Sequence, residues 1–298
     1  MPEHNADLVV LGGGSGGYAA ALRAAELGMS VVLVERDKLG GTCLHWGCIP
    51  TKALLHAAEV ADAAREGDKI GVKSSLAGID MAGVNAYKDG VVARLYKGLQ
   101  GLVKSRNITL VEGTGRFVGP NTVVVGDDRY VGGNVVLATG SYSRSLPGLD
   151  IGGRIITSNE AIRLEEVPER VVVLGGGVIG VEFASVFKSF GADVTIVEAL
   201  PRLVPAEDEF SSKQLERAFR RRKIAFKTGV RFTGAKQTAD TVTVSLESGE
   251  EIEADLLLVA VGRAHRGPRV EERRADRRGR LTDDRLRTDL PNVYALGD

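Results

Sequence analysis

Leu8-Val9-Val10-Leu11-Gly12-Gly13-Gly14-Ser15-Gly16-Gly17 decides the architecture, because the chain writes it a second time as Val171-Val172-Val173-Leu174-Gly175-Gly176-Gly177-Val178-Ile179-Gly180. Each run leads into a helical pattern, a single glycine (Gly28, Gly191) and a second apolar run that ends in an acid, Glu35 or Glu198. The two copies align without a gap. A short β-branched run reads as a buried parallel strand. In each copy the first glycine (Gly12, Gly175) permits a tight turn and the second (Gly14, Gly177) admits a pyrophosphate. The third (Gly17, Gly180) lets helix and strand pack closely. The helix start then offers unpaired N–H groups to phosphates. Glycine-rich turns between buried strands would explain the glycines but not the matched acids, which suit ribose hydroxyls. The expected fold is α/β, with two Rossmann-like dinucleotide-binding domains.

Composition excludes other classes. Lysine and arginine number 39 and aspartate and glutamate also 39. That balance gives no reason to expect nucleic acid or an anionic membrane as partner. No apolar stretch is long and free enough of glycine and charge to read as a membrane span. The polar start Met1-Pro2-Glu3-His4-Asn5 lacks a basic leader region, so a cytoplasmic protein is expected. No metal is assigned.

Directly after Glu35 comes Gly40-Gly41-Thr42-Cys43-Leu44-His45-Trp46-Gly47-Cys48-Ile49-Pro50-Thr51-Lys52, with a helical pattern from Thr51 to Ala64. Cys43 and Cys48 are the only two cysteines. A close pair staples too small a loop to hold a chain this size, so a redox role suits it better. Residues five apart in a straight helix lie about 7.5 Å apart along its axis. A disulfide would therefore bend the segment, and Gly47 and Pro50 are the residues to bend it. Strain eases reduction, and a helix start favours a thiolate.

Gly-Gly-Thr-Cys-x4-Cys-Ile-Pro-Thr-Lys beside two dinucleotide fingerprints resembles the pyridine nucleotide–disulfide oxidoreductases. The resemblance runs from Asp7 to Asp298. It implies FAD at the first copy and NAD at the second, with the carboxylate of Glu198 disfavouring a 2′-phosphate. Arg202, close behind, is a cation that could answer one, so that point stays open. It implies that Cys43 exchanges with the substrate, that Cys48 faces the flavin, and that Lys52 sits near the flavin N5 and pairs with Glu182. Taken alone, Lys52 reads as a solvated helix charge and Glu182 as an early-helix acid. Gly113-Thr114-Gly115-Arg116-Phe117 resembles the turn that approaches the FAD adenine. The strand ending Thr139-Gly140-Ser141 resembles the crossing strand beside the FAD, to which Gly41 and Thr42 also belong. Val259-Ala260-Val261-Gly262-Arg263 resembles the close of the NAD domain. Val293-Tyr294-Ala295-Leu296-Gly297-Asp298 resembles the second FAD fingerprint, with Asp298 on the ribityl chain.

The implied organisation is an FAD-binding domain over 1–148, an NAD-binding domain over 149–270 and a return segment over 271–298. Leu174–Ser185 and the Glu198 strand are most similar to members that oxidise dihydrolipoamide with NAD. Their partners would be lipoyl groups of 2-oxoacid dehydrogenase complexes, and the full-length form a homodimer. Another disulfide or mercuric reductase, or a catalytically silent nucleotide-binding fragment, remains the competing reading. Two departures bear on this. The family continues beyond the position of Asp298 into an interface domain with a His–Glu acid–base pair, which His4, His45, His56 and His265 do not match. A truncated chain with slow turnover is the expectation. His45, between the cysteines, reads as an incidental polar residue rather than a base. Residues 264–280 are arginine-rich and lose the family's turn; a solvated charged loop and a local slip of reading frame are the two explanations.

Overall fold

The apolar runs Leu8–Leu11 and Val171–Leu174 lie on the central strands of two sheets, each pairing with its neighbours in parallel, in the computed structural model, which describes residues 2–267 and 282–297. In chain order the elements begin β1 (Glu3–Leu11), α1 (Ser15–Glu26), β2 (Val31–Glu35), α2 (Gly41–His45), α3 (Cys48–Glu66) and α4 (Met81–Ser105). There follow β3 (Thr109–Glu112), β4 (Gly115–Gly119), β5 (Thr122–Val125), β6 (Asp128–Leu137), β7 (Ser141–Ser143), β8 (Ile155–Ile156) and α5 (Ser158–Ala161). Next come β9 (Arg170–Leu174), α6 (Val178–Phe190), β10 (Asp193–Glu198), α7 (Glu209–Arg221) and β11 (Ala225–Thr228). The last are β12 (Phe232–Gln237), β13 (Val242–Leu246), β14 (Glu251–Ala254), β15 (Leu256–Val259), β16 (Arg263–His265) and β17 (Val293–Ala295).

The chain divides into two compact units. One comprises Met1–Cys48, Val92–Tyr142 and Ala264–Asp298; the other comprises Ile49–Val91 and Ser143–Arg263.

In the first unit the strand order is β3-β2-β1-β6-β5-β4, with β17 also paired to β6. Strands β3, β2, β1, β6 and β17 run parallel, whereas β4–β5 and β5–β6 are antiparallel. Val9 and Val10 are fully buried because both faces of this sheet are covered, which is why the run does not alternate with polar residues.

In the second unit five parallel strands take the order β11-β10-β9-β15-β8. A three-stranded antiparallel sheet, β12-β13-β14, supplies Val242, Val244 and Leu246 to the same core as Leu174, Val197 and Leu257. Helix α6 contributes Phe183 and Phe187, whose rings lie 6.0 Å apart. Arg170 at the start of β9 donates to Asp255 from its backbone N (2.9 Å), Nε (3.2 Å) and Nη2 (2.7 Å), and to Glu253 from Nη1 (2.8 Å). These bonds tie the start of β9 to the β14–β15 bend. Helix α3 is tied to this unit by Arg222, which reaches Asp62 (3.0 Å), Ser185 and Ser189 (2.6 Å), while Ser189 donates to Asp62 (2.7 Å).

Two helices differ from the sequence expectation. The cysteine segment is not one bent helix. Helix α2 ends at His45, the chain breaks at Trp46 (φ −133°, ψ −1°) and Gly47, and α3 restarts at Cys48. Pro50 is tolerated because it sits in the first turn of α3, where an N–H is not needed. The sequence reads as helical over Ala86–Ser105, yet helix α4 begins at Met81, because Asp80 accepts from the backbone N of Ala82 (3.1 Å) and caps it. Most of the arginine-rich stretch, 268–281, lies outside the described residues, as does Asp298.

Candidate functional site

Each glycine loop has the same construction. Gly12 (φ +108°) and Gly175 (φ +110°) occupy a backbone region that side chains avoid. A Cβ on Gly12 would stand 2.1 Å from the Ala138 carbonyl oxygen, and one on Gly175 2.4 Å from that of Ala260. The third glycines are closed just as tightly: a Cβ on Gly17 would meet Gly12 O at 1.8 Å, and one on Gly180 would meet Gly175 O at 1.9 Å. The second glycines are the opposite. A Cβ on Gly14 would meet nothing nearer than 4.0 Å, and one on Gly177 nothing within 4 Å. Both face open cavities at the starts of α1 and α6, so their missing side chains leave room for a ligand rather than for protein.

The acids take a part that sequence reading missed. Glu35 accepts from the backbone N of Gly13 (2.7 Å) with one oxygen and from Arg36 (2.8 Å) and Asp37 (2.9 Å) with the other. Glu198 repeats the device, accepting from Gly176 (2.6 Å) and Leu200 (2.8 Å). Each carboxylate thus pins the glycine turn to the end of the next strand. A carboxylate oxygen has two lone pairs, so capacity for ribose hydroxyls remains.

In the first unit, a cavity of about 1020 Å³ is lined by Gly12, Gly14, Glu35, Gly41, Thr42, Gly115, Thr139, Gly140 and Ser141. Arg36, His45, Trp46, Arg116 and Tyr142 also line it, and of these only Arg116 lies in a motif read as FAD-binding, the Gly113–Phe117 turn. Thr139 donates to the carbonyl of Arg266, another lining residue. The cysteine loop is seated against the glycine loop. Gly40 N donates to Gly13 O (2.8 Å), and a Cβ on Gly41 would stand 2.7 Å from Gly14 Cα. The loop therefore needs Gly40 and Gly41 to deliver Thr42 to the cavity wall with Cys43 next in the chain. Cys43 is half-buried in α2, and Cys48, the first residue of α3, is exposed; both are thiols. His45 lies against the Leu39 carbonyl through Nε2 (2.8 Å) and edge-on to Tyr96, 5.0 Å away.

In the second unit, a cavity of about 620 Å³ is lined by Gly175, Gly177, Glu198 and Gly262, with apolar walls from Val178, Leu200, Val230 and Phe232. Gly180 and Glu182 do not line it. Arg202 is turned away into its own loop, donating through Nη2 to Pro205 O (3.0 Å) and Glu207 O (3.0 Å). Glu182, on α6, instead accepts from Lys52 Nζ at 2.6 Å. The two glycine cradles and their acids fit a dinucleotide at each cavity, the first large enough for the longer FAD.

Residues 6–298 match the family model described as "Pyridine nucleotide-disulphide oxidoreductase". The chain belongs to this family, whose members use FAD and NAD(H). It is 38% identical over 315 residues to the dihydrolipoyl dehydrogenase of Bacillus subtilis, covering 98% of this chain and 66% of that relative. It is 40% identical over 303 residues to the dihydrolipoyl dehydrogenase of Pseudomonas aeruginosa, covering 98% and 65%. The Cu(II) complex of the HOCl-induced flavoprotein disulfide reductase RclA from Escherichia coli matches with a TM-score of 0.85 at 28% identity, covering 99% of this chain and 66% of that one. The chain thus spans just under two thirds of the length of these relatives. Among the described residues, no helix is long and apolar enough to cross a membrane.

Proposed function

We propose that this chain is the FAD- and NAD-binding portion of an enzyme that oxidises dihydrolipoamide to lipoamide with NAD, using Cys43 and Cys48 as its redox pair. The observation that carries it is the seating of the cysteine loop on the first glycine cradle, Gly41 against Gly14. Residues 1–148 would bind FAD and 149–270 NAD, with 271–298 returning to the FAD domain. Gly12, Gly14, Gly17, Glu35, Gly41, Thr42, Gly115, Thr139, Gly140, Ser141 and Asp298 are assigned to FAD. Gly175, Gly177, Gly180, Glu198 and Gly262 are assigned to NAD.

Reaction starts from the Cys43–Cys48 disulfide. A thiolate of the dihydrolipoyl group attacks Cys43 Sγ; the S–S bond breaks and Cys48 leaves as thiolate. The second substrate thiol, on losing its proton, attacks the substrate sulfur of the mixed disulfide and releases Cys43. The substrate has lost two electrons and two protons, and the protein pair holds two sulfurs in reduced form. Bound FAD would take these electrons and bound NAD+ would carry them off as hydride. Lys52 and Glu182 would hold a fixed charge pair beside this path. A reducing cytoplasm suits a pair that must cycle between thiol and disulfide. Lipoyl groups of 2-oxoacid dehydrogenase complexes would be the partners, and a homodimer the working form.

The test is to purify the chain with FAD, confirm its yellow colour, and mix it with NADH and with dihydrolipoamide in separate anaerobic experiments. Bleaching of the flavin by both supports the reading. Flavin that NADH bleaches but dihydrolipoamide does not would indicate a different disulfide substrate. A colourless protein would leave only a nucleotide-binding fragment.

A further inference from the structure

Arg222, at the end of α7, holds two other helices at once. Its Nη2 donates to Asp62 Oδ2 on α3 (3.0 Å) and to Ser189 Oγ on α6 (2.6 Å), and its Nη1 donates to Ser185 Oγ. Ser189, only 2% exposed, donates in turn to Asp62 Oδ2 (2.7 Å). The other Asp62 oxygen accepts from Arg65 Nη1 (3.1 Å). Arg222 is thus a fork spanning two helices, a geometry that a planar guanidinium supplies and an ammonium does not. All of these residues belong to the second compact unit.

The network has a counterpart nearer the start of the same two helices, where Lys52 on α3 donates to Glu182 on α6 at 2.6 Å. Glu182, Ser185 and Ser189 fall at i, i+3 and i+7, one face of α6. Lys52 to Asp62 covers about 15 Å along α3, and Glu182 to Ser189 about 10 Å along α6. The ties come in the same order on both helices, so α3 and α6 run side by side in one direction. Two other forces could fix how one slides on the other, and neither is strong. Lys52 is 56% exposed, and an ion pair that open to water holds little. The apolar seam is not closed either. Leu54 on α3 and Phe183, Val186, Phe187 and Phe190 on α6 line a narrow cavity, and a void forfeits the close contacts that make packing rigid. The Arg222 fork is the tie that fixes the two helices against each other.

We propose that Arg222 is a positioning residue: by locking Asp62 of α3 onto Ser185 and Ser189 of α6 it sets Lys52 against Glu182, and so governs how fast NADH reduces the flavin. The proposal rests on the reading that puts the Lys52–Glu182 pair beside the electron path, and it adds the residue that keeps the pair together.

Competitive labelling of lysine amines in the flavin-free full chain, followed by peptide mass spectrometry, reports the pair directly. Arg222→Leu should raise the labelling rate of Lys52 about two- to fivefold, the strength of an exposed pair expressed as a rate. Glu182→Gln should give the same rise, and Arg222→Leu should add nothing to it, because both changes release one contact. The remaining lysines are the internal reference, since a general loosening would move them too. In the FAD-loaded chain, Arg222→Leu should slow reduction by NADH about fivefold or more in stopped-flow absorbance, yet slow the Lys52→Met chain no further. Arg222→Lys keeps a cation for Asp62 but offers no fork to the serines. It should shift both readings the same way by less, and it serves where the leucine variant does not fold. Lys52 labelling unchanged by Arg222→Leu overturns the proposal, as does equal slowing of the wild-type and Lys52→Met chains. A Lys52→Met chain that is reduced as fast as wild type instead removes the role of Lys52, and the effect on rate falls with it, while the labelling still decides whether Arg222 holds the pair.

Discussion

Lys52 Nζ and Glu182 Oε1 lie 2.6 Å apart although 130 residues separate them in sequence. The contact joins the first turns of the helix that begins at Cys48 to the helix that begins at the second glycine cradle. Lys52 is 56% exposed and Glu182 22%, so the pair adds only about 0–1 kcal/mol to stability. Its value would lie in placing a charge. Lys52→Met and Glu182→Gln should therefore leave the melting temperature within about 2 °C. Each should slow reduction of the bound flavin by NADH about tenfold or more in stopped-flow absorbance. A loss of stability with no change in rate would make the pair structural.

Gly14 and Gly17 should separate binding from folding. A side chain at Gly14 points into the open cavity, so Gly14→Val should fold normally and fail to retain FAD. At Gly17 the added carbon meets the Gly12 carbonyl at 1.8 Å, so even Gly17→Ala should lower stability, by about 1–3 kcal/mol. Circular dichroism melts and flavin content after desalting measure the two effects.

Glu198 holds the second glycine turn and is also the assigned ribose acceptor. Glu198→Ala should weaken NADH binding about 10- to 100-fold, the size of one or two lost bonds to a charged group. It should not create NADP binding, since Arg202 is committed to the carbonyls of Pro205 and Glu207. Fluorescence titration with both nucleotides reads this, and tight NADPH binding by the variant would contradict it.

Asp255 gives the second unit an acid sensitivity. Burial pushes its carboxyl upward, but the hydrogen bonds and charge of Arg170 outweigh that and hold it below the usual 3.8. A carboxylate lowered on folding adds stability above its unfolded value and loses it as pH falls through the folded one. Asp255→Asn should cost about 1–2 kcal/mol near neutral pH, and the difference from wild type should shrink as pH drops below about 4. Denaturant melts across that range check the sign.

The duplicated strand–glycine–helix–acid pattern was legible because each part answers a local steric or hydrogen-bonding demand. A tight turn, a close helix crossing and a phosphate approach each need glycine at a fixed spacing. What stayed hidden depended on contacts distant in sequence. The acids' bonds to Gly13 and Gly176 come from strands that meet the glycine loops only after folding. Gly47 was readable as a bend, but not that α2 ends at His45 and α3 restarts at Cys48, and the start of α4 at Met81 rests on the Asp80 cap. Beyond the Gly113–Phe117 turn that enters β4, the antiparallel strands β4–β5 and β12–β14 lack a motif, and nothing in their composition marks which core they join.

The central claim is that the Cys48 thiolate contacts a flavin held over the first glycine cradle. Anaerobic reduction of the FAD-loaded chain by one equivalent of NADH, followed by absorbance, tests it directly. A long-wavelength charge-transfer band should appear in the wild type, persist in Cys43→Ser and be absent from Cys48→Ser. Identical spectra from the wild type and Cys48→Ser would contradict it.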